Sequence, residues 1–174
     1  KYQEAQKFGR STWNIPPFIT LFDDIQGGLM VPRGFQLHDF GAWSVIDNRH
    51  SRPVQITTTL ETRDYQERAI IQAVEHAGGV IVAQTGAGKT TMGIELAARL
   101  GERCLILVKS LELARQWQAA IKQFTGLACG LIGGGQWQEG QAFTVGLTQT
   151  LVKHPGSLDY GMVIVDECHN IPAE

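Results

Sequence analysis

Eight residues near the middle of the chain constrain everything around them: Ala83-Gln84-Thr85-Gly86-Ala87-Gly88-Lys89-Thr90. Their spacing is that of a Walker A loop, with Ala83 where a first glycine usually stands. Glycines let the backbone turn so that successive N–H groups face one point. A helix opening near Lys89 adds its positive end to that point, which suits a phosphate. In such a cradle the Lys89 ammonium reaches the β- and γ-phosphates of a nucleotide, and the Thr90 hydroxyl binds Mg²⁺. The flanks agree. Val80 to Ala83 is a short apolar run that predicts a strand, and Met92, Leu96 and Leu100 recur every fourth residue, predicting a helix closed by Gly101. A glycine-rich turn holding Lys-Thr by accident is the competing reading, and neither flank supports it.

Downstream, apolar runs and helical stripes alternate. Tyr65, Ala69, Ile70, Ala73 and Val74 make one stripe, stopped by Gly78-Gly79. Cys104 to Val108 reads as a buried strand. Leu113, Trp117, Ala120, Ile121 and Phe124 form a third helix with Ser110 as N-cap and Gly126 beyond its end. Phe143 to Leu147 and Met162 to Val165 are further short strands. Strands alternating with helices predict an α/β fold, a parallel sheet with helices on both faces. Right-handed crossovers then bring every strand's C-terminal end to one edge, where ligands bind.

The 174 residues are 43% hydrophobic and 18% charged, enough apolar content for a core and too little charge for a disordered chain. No apolar run approaches the ~18 residues of a membrane span, and no secretory signal opens the chain, so an intracellular, cytoplasmic protein is expected. The chain starts at Lys1 rather than Met, which suggests trimming. Cys104, Cys129 and Cys168 are odd in number and far apart, arguing against a disulfide framework or a zinc site and for a reducing compartment. The net charge of -2 excludes a globally basic nucleic-acid wrapper and leaves only a local binding surface.

Residues 1–60 read differently and form an expected accessory extension, with the main domain at 61–174. They hold Pro16, Pro17, Pro32 and Pro53, turn signals at Gly27-Gly28 and Gly34, and scattered aromatics including Trp13, Phe18 and Trp43. Short strands are expected, one from Gly34 to Phe40, and the alternation of Val54, Ile56 and Leu60 suggests another. Six Lys or Arg against five Asp or Glu give this part no electrostatic argument for DNA.

The second chemical signal is Val163-Ile164-Val165-Asp166-Glu167-Cys168-His169. A buried strand delivers two carboxylates to the sheet edge. Asp166 is suited to hold Mg²⁺ through its hydration shell, and Glu167 to orient and activate water. Adjacent strand residues face opposite ways, so the two acids take different roles only where the strand ends and bends. An acidic strand terminus on the surface is the plain alternative, and the phosphate loop upstream counts against it.

Together, Ala-Gln-Thr-Gly-Ala-Gly-Lys-Thr and Asp-Glu-Cys-His resemble motifs I and II of superfamily 2 helicases. Arg63-Asp64-Tyr65-Gln66 resembles the segment that carries the adenine-reading glutamine. Val108 to Trp117 resembles motif Ia, and Gly146 to Leu151 motif Ib or Ic. Pro172-Ala173, shortly after the acids, is similar to the same stretch of xeroderma pigmentosum group B-type helicases and type III restriction-enzyme motors. The resemblance spans about residues 60 to 174 and implies the first RecA-like lobe of an ATP-dependent nucleic-acid motor, with DNA the expected track.

By that resemblance the nucleotide would meet Gln84, Thr85, Gly86, Ala87, Gly88, Lys89, Thr90 and Thr91, with Gln66 at the adenine edge and Arg63 stacked on or supporting the base. Catalysis would fall to Lys89, Asp166, Glu167 and His169, the histidine linking the nucleotide site to nucleic-acid binding. Thr90 and Asp166 would hold Mg²⁺. Lys109, Ser110, Thr148 and Gln149 would contact the phosphates of one strand, with capping and ordinary surface charge as the alternative for these four. Arg115 and Trp117 read as a surface charge and a core residue, His38, His50, His76 and His154 as surface residues, and Gly133-Gly134-Gly135 as a flexible turn. The resemblance also implies a second RecA-like lobe that brings arginine fingers, so this chain alone should turn ATP over slowly if at all. A nucleotide-sensing or scaffold module that never hydrolyses is the rival reading.

Overall fold

The computed structural model describes residues 23–25, 28–30, 51–76, 78–154 and 158–168. The chain divides into two compact units, Lys1–Asp47 and Asn48–Glu174. In the first, β1 (Asp23–Ile25) and β2 (Gly28–Met30) pair antiparallel, Asp23 opposite Met30. The strand expected from Gly34 to Phe40 lies outside the described residues.

The second unit runs through α1 (Asp64–Glu75), α2 (Lys89–Leu100), β3 (Cys104–Val108), α3 (Leu111–Thr125), β4 (Cys129–Gly133), β5 (Gln136–Gln138), β6 (Phe143–Leu147), α4 (Thr148–Leu151) and β7 (Met162–Val165). One sheet collects the strands in the order β5-β4-β6-β3-β7. β3 is parallel to β6 and β7, and β6 to β4, while β5 folds back antiparallel on β4. The apolar run Cys104–Val108 lies between two neighbours and is the natural inner strand. Val108 pairs with Leu147 and Leu107 with Val165, so three strands end together on one edge.

The helical stripe of α3 explains its docking. Ala114, Trp117 and Ile121 recur at three- and four-residue spacing and are buried. They share one cluster with Ile106 and Val108 of β3, Phe143 and Val145 of β6, and Ile94 and Ala97 of α2. Ser110 caps α3 by accepting from the Leu113 N–H at 3.3 Å, and Gly126 ends it in a left-handed conformation, φ 71°. Leu151 of α4 closes over Gly146, so closely that a Cβ there would come within 2.5 Å of the Leu151 side chain. The α/β architecture and its parallel strands are those the sequence predicts.

Two expected strands are absent as strands. Val80–Ala83 joins no ladder, and Val80 and Val82 are 74% and 91% exposed. Its composition favours a strand, but a strand exists only where a neighbour answers its N–H and C=O groups. Among the described residues the sheet ends at β7, where Val163 is also exposed. The run Val54–Leu60 likewise forms no strand. It binds helix ends instead: Val54 N–H donates to Gly101 O at 2.8 Å and Thr59 N–H to Phe124 O at 2.9 Å. Those carbonyls close α2 and α3 and have no partner within their own helices. Ile56 points inward and Val54 and Leu60 pack beside it, which accounts for the alternation.

A charged bolt joins α1 to α2. Arg99 donates to both carboxylate oxygens of Glu67, at 2.7 and 2.6 Å, and to Glu95 at 3.0 Å, and Thr62 donates to Glu67 at 2.8 Å. The Arg99 hydrogen bond, with help from Thr62, holds the Glu67 carboxyl down at about 2. Cys104, Cys129 and Cys168 are free thiols; burial pushes the first two up, Cys129 to about 12, which keeps them protonated and unreactive at neutral pH.

Two stability measurements test this packing. Phe143 is fully buried at the centre of the sheet, so Phe143→Ala should cost about 3–5 kcal/mol in urea unfolding. Because the Glu67 carboxyl is depressed from 4.5 to about 2, its bond to Arg99 stabilises the fold fully above pH 4.5 and is lost as pH falls toward 2. The stability gap between the native chain and Glu67→Gln should therefore be constant from pH 7 to 5 and shrink below 4.5.

Candidate functional site

The loop before α2 takes the shape its glycines allow. Gly86 and Gly88 have φ of 82° and 80°, and Gly88 is the N-cap of α2. A Cβ at Gly88 would sit 2.5 Å from Gln66 Nε2 and 2.7 Å from Thr91 Oγ1, so this position needs glycine for both conformation and space. Lys89 and Thr90 open the helix, half-buried, while Gln84, Thr85 and Gly86 line its approach. Thr91 turns its hydroxyl back to Gly88 O at 2.7 Å.

The loop is braced from α1. Gln66 is buried; its Nε2 donates to Ala87 O at 2.9 Å and its Oε1 accepts from Arg63 N–H at 2.9 Å. Tyr65 donates its hydroxyl to the same Ala87 carbonyl at 3.0 Å, and Arg63 Nη1 donates to that hydroxyl oxygen at 3.2 Å. Beside the loop lies an open cavity of about 490 Å³ lined by Arg63, Tyr65, Val82, Ala83, Gln84, Thr85, Gly86 and Ala87. Arg63 and Tyr65 thus face the cavity, and Gln66 stands behind the loop that forms its wall.

The acids arrive from β7. Asp166 N–H donates to Leu107 O at 3.0 Å, extending the β3–β7 ladder by one bond, and the chain then bends. Glu167 has φ 52°, the left-handed region, which costs a side-chain-bearing residue about 1–2 kcal/mol. That bend separates the two carboxylates. Glu167 Oε1 lies 3.3 Å from Lys89 Nζ, which also donates to Ala83 O at 3.5 Å. Asp166 Oδ2 accepts from Trp117 Nε1 at 2.9 Å. Lys89 and Glu167, far apart in sequence, therefore meet. The donors on these segments, a hydroxyl on Thr90 and a carboxylate on Asp166, are the hard oxygens that Mg²⁺ takes, with phosphate and water completing its shell.

The remaining expected residues share the same sheet edge. Lys109 and Ser110 follow β3, and Thr148 and Gln149 follow its neighbour β6. Lys109 and Gln149 are exposed. Ser110 caps α3, and Thr148 donates its hydroxyl to Val108 O at 2.9 Å, so both also have a structural role. His169 lies outside the described residues. Two residues escaped the sequence reading. Trp117 is in the core, 3% exposed, yet reaches an acid. Tyr65, read as part of an inward stripe, is 41% exposed and lines the cavity. The signal for Trp117 was its indole N–H, a donor that needs a partner once buried.

Comparison with known proteins agrees with this geometry. The family described as type III restriction enzyme, res subunit, matches residues 59–174. The chain belongs to that family. Among curated proteins it is 31% identical over 121 residues to the DNA 3'-5' translocase XPB2 of Sulfurisphaera tokodaii, covering 68% of this chain and 27% of that one. It is 33% identical over 125 residues to the DNA 3'-5' helicase XPB of Mycobacterium tuberculosis, covering 65% and 23%. The probable helicase D10 of Escherichia phage T5 matches at 28% over 134 residues, covering 75% and 30%. The resemblance to superfamily 2 motors of the xeroderma pigmentosum group B type is borne out, and the chain spans about a quarter of the length of these relatives.

Gly88→Ala tests the loop. It forces a side chain into the left-handed region and against Gln66, so it should lower stability by about 1–2 kcal/mol. Adding Gln66→Ala should relieve the clash with Gln66 but neither the contact with Thr91 nor the strain, leaving part of the loss in a urea titration.

Proposed function

We propose that this chain is the nucleotide-binding lobe of an ATP-dependent DNA helicase or translocase. The observation that carries the reading is the Lys89–Glu167 contact at 3.3 Å, which joins the phosphate loop to the acidic strand end in one site. The relatives' names support the motor and its DNA track.

The residues divide the chemistry. Backbone N–H groups from Gly86 to Thr90 and the start of α2 hold the phosphates. Lys89 leaves Glu167 for the β- and γ-oxygens, because a triphosphate offers it more negative charge than one carboxylate. Glu167 orients and deprotonates the attacking water. Thr90 and Asp166 would hold Mg²⁺, which would offset the negative charge developing on the phosphates. Among the described residues no group of three or more His, Cys, Asp or Glu side chains converges, so the metal would depend on these two and on the nucleotide itself. The base lies in the cavity beside Arg63 and Tyr65, while Gln66, buried behind the loop, acts on the site through the Ala87 carbonyl rather than by touching the adenine edge. Lys109, Ser110, Thr148 and Gln149 contact the DNA strand, His169 links the nucleotide site to nucleic-acid binding, and a second RecA-like lobe completes the charge stabilisation. The accessory part is the first unit, Lys1–Asp47, since Val54–Leu60 packs with the second.

ATP turnover with and without single-stranded and duplex DNA tests the reading, on this chain and with a second lobe supplied. Hydrolysis should be slow for the chain alone and rise with the second lobe and DNA. In Lys89→Ala it should fall by roughly 100-fold or more, a size typical of a lost electrostatic donor. Glu167→Gln should keep nucleotide binding and lose turnover. Nucleotide binding with no turnover under any condition would replace the motor with a nucleotide-sensing module.

A further inference from the structure

We propose that Trp117 is a positioning residue for Asp166: its indole N–H fixes the carboxylate that receives Mg²⁺, and Gly93 supplies the space that lets it do so. The inference rests on the Mg-nucleotide reading of the site.

Three observations carry it. Trp117 lies on the core-facing stripe of α3, yet its Nε1 donates to Asp166 Oδ2 at 2.9 Å. A buried indole needs one acceptor, and a backbone carbonyl would serve; here the acceptor is the side chain expected to bear the metal. The bond occupies one carboxylate oxygen and sets the plane of the group, leaving Oδ1 and the second lone pair of Oδ2 for the metal's water shell. Outer partners of this kind commonly orient metal-binding carboxylates.

The second observation is Gly93, in the interior of α2, where glycine is a poorer helix former than alanine. A Cβ there would lie 2.9 Å from Trp117 Cη2 and 3.2 Å from Ile164 Cδ1 of β7. Its backbone is ordinary helix, so conformation does not ask for glycine; space does. The third is location. Gly93 stands one turn beyond Lys89 on the helix that the phosphate loop opens, and Ile164 lies just before Asp166 on β7. The indole is wedged between the two elements that bear the site and bonded to one of them. A shift of α2 relative to β7 would press on the ring and turn the Asp166 carboxylate, so the same contact couples the phosphate loop to the metal-bearing acid.

The test compares the native chain with Trp117→Phe, Gly93→Ala and Asp166→Asn. Calorimetry measures ADP affinity in EDTA and in Mg²⁺, and the ratio is the gain due to metal. Trp117→Phe keeps a ring in the core and removes the donor. It should cut the gain roughly tenfold or more, as loss of an outer-shell partner does, while ADP affinity in EDTA stays native. Gly93→Ala should reduce the gain by displacing the ring. The indole N–H resonance of Trp117, assigned by its loss in Trp117→Phe, should move in Asp166→Asn. If Trp117→Phe and Gly93→Ala keep the native metal gain while Asp166→Asn loses it, the positioning role is overturned and the reading of Asp166 stands. If Asp166→Asn also keeps the gain, the site reading itself fails and takes this inference with it. A native urea midpoint for Trp117→Phe beside a reduced gain would separate the role from simple packing.

Discussion

The site depends on the parallel pairing of β7 with β3. Leu107 opposite Val165, and one further bond from Asp166 N–H to Leu107 O, decide where β7 stops and which residue comes next. A register slip of one residue would exchange the two faces of β7 and place Glu167 where Asp166 now meets the indole. The same pairing places the strand end beside the phosphate loop, and α2 packs on the sheet through the core it shares with α3 and through Gly93 beside Ile164 of β7. The chemistry of the two motifs is local, but their meeting is a property of the ladder.

The strain at Glu167 belongs to the same geometry. Two neighbouring acids on a straight strand would face opposite sides of the sheet. A left-handed turn at the second lets Glu167 face Lys89 while Asp166 stays against Trp117. Surrounding contacts hold the unfavourable conformation, as is common where function requires it. The Lys89–Glu167 pair has an analogous logic. Both side chains are about one third exposed, so their attraction is screened by water and is the modest kind that a ligand with higher charge can displace. A fully buried pair would resist opening.

Most of the lobe was legible because its signals are local and redundant. The glycines of the loop, the stripe of α3 with its Ser110 cap and Gly126 stop, and the apolar runs of β3, β6 and β7 each state the same fold at several levels. The illegible parts depend on partners distant in sequence. Val80–Ala83 has the composition of a strand and no strand beside it among the described residues. Val54–Leu60 alternates like a strand but spends N–H groups on the open ends of two helices. β5, three exposed residues after a run of glycines, carries too little apolar content to announce itself. In the site, Tyr65 was misplaced because it shares a helical stripe with buried Ile70 while standing at the helix start, where its ring stays exposed. Trp117 reads as core by every periodic criterion and is core; no pattern in one sequence shows which acceptor a buried indole finds.

The braces on Ala87 extend the same argument to the other side of the loop. One carbonyl accepts from both Gln66 and Tyr65, and α1, which carries them, is tied to α2 by the two hydrogen bonds of Arg99 to Glu67. The loop between Gln84 and Gly88 is therefore held at its turn by α1 and at its end by α2, and those two helices are fixed to each other. Such a loop is preorganised, so on the proposed reading any reorganisation on binding would fall on side chains rather than on the backbone. On the proposed reading Lys89 would move from Glu167 to the phosphates. On that reading its departure also breaks the Lys89–Glu167 contact, coupling nucleotide arrival to the proposed base beside a loop that stays still.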